Sequence, residues 1–259
     1  MILIIIKRSV IVDNKHYIIT GGTSGLGYSI VKTLLNKGCK VTILSRDLYK
    51  FNQIELFKNN KNVQSLECDL LNVEDLTLLE DKLSHDIDGF IHCAGLSYIE
   101  NMSSISIEKM NEIYKINTIN FSILLNVLRK FFVEEPTIVG ISSFASLITD
   151  KGTGHYGASK AAFTQILNTL RMEEPNYHVL VVNPGPIDTP FLKKADIHGL
   201  YKNMNKTFIL NSDKLAETIV KGIQKKKEEI NKPQLVHYLL KLYQVSPLFL
   251  KKKLHKYLA

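Results

Sequence analysis

Tyr156 and Lys160 stand four residues apart in a stretch with helical patterning, a spacing that places both on one helix face. A free tyrosine hydroxyl titrates near ~10 and is a poor acid-base group at neutral pH. A neighbouring ammonium favours the phenolate and lowers that value. The tyrosine can then give a proton to a carbonyl oxygen and take one back from an alcohol. A Tyr-x3-Lys pair also arises on ordinary helix surfaces, so its meaning depends on what surrounds it. Ser142-Ser143 closes a β-branched run just upstream, where a hydroxyl can hold a substrate oxygen and stabilise charge developing on it. Nearer the start, Thr20-Gly21-Gly22-Thr23-Ser24-Gly25-Leu26-Gly27 supplies the tight turn and bare backbone that let N–H groups approach a phosphate.

The elements that must position these residues follow a regular alternation. Tyr17–Ile19 reads as a buried strand, Leu26–Asn36 as a helix stopped at Gly38, and Val41–Leu44 as the next strand. Val63–Glu67 and Ile87–Cys93 read as strands three and four, Ser106–Phe132 as a long amphipathic helix, and Thr137–Ser142 as strand five. A helix over Tyr156–Met172 and a strand over Tyr177–Val182 complete the pattern. Strand and helix in this rhythm predict a doubly wound parallel sheet, Rossmann-like, in three α/β/α layers. The Ile/Val/Leu-rich strands suit a sheet covered on both faces. The glycine-rich turn falls between the first strand and first helix, where such a sheet binds a dinucleotide pyrophosphate. With no linker and no repeat, the expectation is one catalytic domain over residues 1–259. It carries an irregular substrate lid at about 188–206, a helix N-capped at Ser212-Asp213 and leading to Gln224, and a basic apolar tail at about 232–259. Residues 1–14 read either as an extra strand or as a loose extension.

The spacing Thr-Gly-x3-Gly-x-Gly resembles the short-chain dehydrogenase/reductase family, and further family positions follow in order over about residues 16–225. Asp69, followed by Leu70, comes after strand three, where the family binds adenine. Cys93-Ala94-Gly95 is similar to the family's Asn-Asn-Ala-Gly, with His92 and Cys93 in place of both asparagines. Asn117 lies where the family has its helix asparagine. The family spacing of Ser to Tyr selects Ser143 over Ser142, and Pro184-Gly185 with Ile187 and Thr189 resembles the nicotinamide segment. The resemblance implies Asn117, Ser143, Tyr156 and Lys160 as the catalytic set, with Lys160 on the nicotinamide ribose and Asn117 anchoring a proton-relay water. It implies cofactor binding by Gly21, Thr23, Ser24, Gly25, Leu26, Gly27, Asp69, Leu70, Cys93, Ala94, Gly95, Tyr156, Lys160, Pro184, Gly185, Ile187 and Thr189. It also implies a small carbonyl or alcohol substrate and a homo-oligomer. A catalytically idle redox sensor, against which the complete catalytic set argues, or a membrane-attached scaffold on the same fold is the alternative.

Strand two ends Leu44-Ser45-Arg46. A carboxylate there would hold a ribose 2′-hydroxyl and select NAD. Ser45 occupies that place, and Arg46 can bond a 2′-phosphate and stack on adenine. NADP(H) is therefore favoured over NAD, with Asp47 as a counter-signal one residue on.

The chain has 259 residues, 45% hydrophobic and 22% charged, which excludes disordered and collagen-like classes. Cys39, Cys68 and Cys93 show neither disulfide nor zinc spacing, which points to a reducing cytoplasm and to no metal site. No apolar run is long enough for a membrane span, and Met1–Ile6 is too short for a signal-peptide core. The net charge of +8 invites a nucleic-acid reading until it is mapped. Residues 1–220 hold 23 Lys/Arg against 23 Asp/Glu, whereas residues 221–259 hold ten lysines against Glu228 and Glu229. No stacking platform or groove-reading motif accompanies those lysines, so no nucleic acid is expected. Pro233 opens a helical pattern through Leu235, Tyr238, Leu239, Leu242 and Tyr243, broken at Pro247. The tail is open to two main readings: contact with the inner face of a membrane, or packing on the body or on a second copy.

Overall fold

Short Ile/Val runs bounded by polar turns pair into one parallel sheet, because helices cover both faces and both must be apolar. The protein is described by a computed structural model over residues 12–195 and 209–251. The expectations for residues 1–11, for lid residues 196–206 and for tail residues 252–259 lie outside those described.

The strands are β1 (His16–Thr20), β2 (Lys40–Ser45), β3 (Val63–Glu67), β4 (Ile87–His92), β5 (Phe132–Ile141), β6 (His178–Pro184) and β7 (Glu229–Lys232). The helices are α1 (Gly25–Leu35), α2 (Leu48–Gln53), α3 (Val73–Thr77), α4 (Ile107–Tyr114), α5 (Asn120–Leu128), α6 (Gly154–Glu173), α7 (Pro190–Ala195), α8 (Ser212–Gln224) and α9 (Gln234–Val245). The sheet runs β3-β2-β1-β4-β5-β6-β7 and every pairing is parallel. The order reverses between β1 and β4, and the crevice at the carboxyl ends of those strands is where such sheets bind ligands.

Successive strand residues feed opposite layers. Ile19 and Ile43 pack with Ile30, Leu34, Ile219 and Ile223 beneath α1 and α8. Ile18, Phe90 and Ile138 pack with Phe121, Leu124, Phe163 and Leu167 beneath α5 and α6. Each fully buried side chain of this kind contributes about 1.5–3 kcal/mol. The Rossmann-like expectation is thus met.

Three expectations are corrected. The long helix predicted over Ser106–Phe132 is α4, a π-turn at Lys115–Ile119, and α5, after which β5 begins at Phe132. Ser106 itself is the cap, accepting from Lys109 N–H. The cap of α8 is Asn211, which accepts from Lys214 N–H, so Ser212 is the first helical residue rather than the cap. The seventh strand, β7, falls in the basic segment where no strand was expected. Its short sequence, Glu-Ile-Asn-Lys, has a single large apolar residue, Ile230, so periodicity offers no signal.

Candidate active site

The glycine turn between β1 and α1 is built for close approach. Gly21 has φ +71°, and a Cβ there would lie 2.9 Å from Ala94 N. A Cβ on Gly27 would lie 2.1 Å from the Gly21 carbonyl oxygen, so a side chain cannot enter without moving the backbone. Helix α1 starts without a side-chain cap and without an acidic residue in its first turn. Its N–H groups are thus left for an external anion, and the helix dipole favours one. These features fit a dinucleotide pyrophosphate.

A cleft of ≈ 1410 Å³ runs from this turn along the carboxyl edge of the sheet. It is lined by Gly21, Thr23, Ser24, Gly25, Leu26 and Gly27, by Arg46, Asp69 and Leu70, and by Cys93, Ala94 and Gly95. Ser143, Tyr156, Lys160, Pro184, Gly185, Ile187 and Thr189 line the same cleft. Of the residues implied as catalytic or cofactor-binding, Asn117 alone does not line the cleft and is fully buried in the π-turn. Its amide donates to the Leu96 carbonyl (2.8 Å) and Ser159 Oγ (3.0 Å) and accepts from Leu96 N–H (2.8 Å). Its side chain is therefore a brace between the segment after β4 and helix α6.

Ser142 is buried and bonds Thr164 Oγ1 (2.6 Å) and the Lys160 carbonyl (3.3 Å) on α6. Ser143 accepts from Ala145 N–H at 3.1 Å and lines the cleft beside Tyr156. Lys160 is buried and donates to the Ile141 carbonyl at 2.8 Å. Burial dominates the protonation of this pair. It pushes Tyr156 up to about 12 against the smaller opposing effect of the Ser143 hydroxyl, and it brings Lys160 down to about 8. The expected lowering by Lys160 does not figure in this balance, which desolvation of the phenolate sets.

Arg46 and Lys50 line one end of the cleft. Asp47, the counter-signal in the sequence, has its carboxylate engaged as the cap of α2, accepting from Lys50 N–H at 2.7 Å. Lys50 escaped the sequence reading because α2 carries no buried residue and hence no periodic pattern.

His92, noted in the sequence only as a departure, is at the centre of a relay. It is buried, and its Nε2–H donates to the Ile116 carbonyl (3.2 Å). That fixes the neutral tautomer with Nδ1 as acceptor. The Thr20 hydroxyl donates to Nδ1 (3.1 Å) and accepts from Ala94 N–H (3.1 Å). Burial, with the Lys160 charge, holds His92 down at about 3.

The cleft lining also carries the apolar side chains Ile99, Phe144, Ile148, Phe191, Val236 and Leu240, beside Glu112, Asp150, Lys151 and Lys194. Among the described residues, no cluster of His, Cys, Asp or Glu could hold a metal ion, and the three cysteines are free.

A doubly wound sheet with this turn, and with Ser143, Tyr156 and Lys160 on one cleft, defines a dinucleotide-dependent oxidoreductase. Residues 15–198 match the short chain dehydrogenase family model, and the chain belongs to that family. It is 27% identical over 233 residues to the benzil reductase ((S)-benzoin forming) of Bacillus subtilis, covering 81% of this chain and 93% of that one. Its fold is similar to that of a short chain dehydrogenase/reductase from Burkholderia phymatum in complex with NAD, with TM-score 0.81 and 17% identity over 92% of this chain and 99% of that one. A short chain dehydrogenase from Burkholderia cenocepacia in complex with NADP gives TM-score 0.77 at 19% identity, over 96% and 99% of the two chains.

Proposed function

We propose that the chain is an NADP(H)-dependent carbonyl reductase or alcohol dehydrogenase acting on an apolar substrate. The observation that carries the reading is the meeting of Ser143, Tyr156 and Lys160 in one cleft with the glycine turn. A nicotinamide dinucleotide held by the glycine turn would supply or remove hydride. Tyr156, raised to about 12, holds its proton at neutral pH and gives it to the substrate oxygen. Ser143, which lines the same cleft, holds that oxygen. Lys160 sits buried one turn along α6 and supports the same end of the cleft through Ile141.

Arg46 and Lys50 together support NADP(H): two cations line the cleft beside the end of β2, where a 2′-phosphate would lie, and the adjacent Asp47 carboxylate is engaged as a helix cap. The apolar wall supports a ketone or aldehyde with a substantial hydrocarbon part, and the similarity to a benzil reductase is consistent with it.

The test is NADPH oxidation against a panel of ketones and aldehydes, wild type beside Tyr156→Phe. Turnover is expected in the wild type, with a loss of about 10²–10⁴-fold in the variant. Tight NADPH binding with no turnover on a broad panel would assign the chain to the redox-sensor class instead.

A further inference from the structure

Helix α9 is apolar on two opposite sides. Its inner side packs on the body through Leu240 and Tyr243, with the Tyr243 hydroxyl 3.3 Å from Thr149 Oγ1. Its outer side carries Leu235 (72% exposed), Tyr238 (64%), Leu242 (65%) and Val245 (82%), and the segment after it adds Leu248 (70%) and Phe249 (67%). Positions 235, 238, 242 and 245 fall on one stripe at helical spacing. A contiguous apolar face of this kind marks a contact surface rather than scattered exposure.

Charge indicates what covers it. Residues 230–259 contain six lysines and no Asp or Glu. Lys241 lies within α9 and Lys251 directly follows Leu250. A second copy of this chain seated on the same face by two-fold symmetry would bring these lysines against themselves. An anionic lipid surface meets both features. The apolar side chains enter the boundary of the acyl chains, and the lysines reach lipid phosphates.

The face is also continuous with the cleft. Leu239, 44% exposed on α9, lines the same cleft as Tyr156, together with Pro233, Val236 and Leu240. We propose that the outer face of α9 docks on an anionic lipid surface and that the cleft draws its apolar carbonyl substrate from there, the second half resting on the proposed reductase activity.

The test is co-sedimentation of the full chain with vesicles of phosphatidylcholine alone and with about one third phosphatidylglycerol. Binding to the mixed vesicles should be tighter by about tenfold or more, and should weaken with added salt. Leu235→Ser with Leu242→Ser, and separately Lys241→Gln with Lys251→Gln, should each lower it on the order of tenfold. Protection by NADPH against thermal unfolding should be unchanged in both, which shows that the fold and cofactor site survive. Equal binding to the two vesicle types, or none, overturns the docking. So does light scattering that finds a wild-type dimer made monomeric by the leucine substitutions, because that assigns the face to a second copy. For delivery, a long-chain ketone carried in vesicles should lose kcat/KM in the leucine variant while a water-soluble ketone does not. Turnover of neither ketone by the wild type overturns the delivery and the reductase reading together, and leaves the docking to be decided by sedimentation alone.

Discussion

One imidazole joins three parts of the site. His92 reaches the Ile116 carbonyl at the turn that carries Asn117, and through Thr20 it reaches the Ala94 N–H beside the glycine turn. The relay works only while the ring is neutral, because a doubly protonated ring has no acceptor for the Thr20 hydroxyl. With a folded-state value of about 3 against an ordinary 6.5, His92 contributes stability that is fully present above pH ~6.5 and is lost as pH falls from there toward 3. Between pH 6 and 4 the unfolding free energy of the wild type should therefore fall by about 1.4 kcal/mol more per pH unit than that of His92→Asn. Urea denaturation of both proteins at several pH values measures the slopes, and equal slopes would show that the ring is not held neutral. At the far end of the cleft, Arg46→Ala should raise the KM for NADPH by about tenfold to a hundredfold, the worth of one charge-assisted bond, while changing that for NADH much less. Steady-state kinetics with both cofactors checks this, and an equal effect on the two would remove Arg46 from the discrimination.

The elements show why part of the architecture was legible and part was not. Strands β1, β2 and β6 and helices α1, α6 and α8 announce themselves through short Ile/Val/Leu-rich runs, helical spacing and glycine stops such as Gly38 at φ +73°. The π-turn at Lys115–Ile119 breaks no propensity rule. Its residues read as helix, and the wider turn is visible only once Asn117 is seen braced against Leu96 and Ser159. The glycine turn could be read because backbone approach demands glycine, whereas Lys50 and β7 could not, because neither belongs to a periodic apolar pattern. Tyr156 and Lys160 were placed from spacing, but their protonation was not, since burial comes from distant parts of the chain. Gly140 on β5 shows what positions that pair: a Cβ there would lie 2.2 Å from Leu167 Cδ1 and 2.8 Å from the Phe163 ring, both on α6. Gly140→Ala should push α6 off the sheet, at a cost of about 1–3 kcal/mol from overpacking. It should also lower kcat, because Tyr156 rides on α6 while Ser143 follows β5. A variant with unchanged urea midpoint and unchanged turnover would show that Leu167 and Phe163 make room without moving the helix.

At the scale of the whole molecule, the charge map separates two jobs. The segment that carries the glycine turn, the serine, the tyrosine and the lysine is electrically balanced over residues 1–220, and the excess of +8 belongs to residues 221–259. That basic segment is nonetheless tied into the same sheet. Strand β7 pairs with β6 over Val181–Pro184, and α9 rests Tyr243 beside Thr149. Residues 229–245 should therefore unfold with the catalytic part rather than ahead of it. Scanning calorimetry should show one transition. NADPH at about 100 times its Kd adds about 2.7 kcal/mol to the folded state, which for a chain of this size raises Tm by about 5–10 °C. The whole transition should move by that amount, and NADH at the same concentration should move it less if Arg46 and Lys50 select the phosphorylated cofactor. An early transition that ignores NADPH would show instead that β7 and α9 form a separately melting unit, and that the apolar wall they give the cleft is not held at the temperature of the assay.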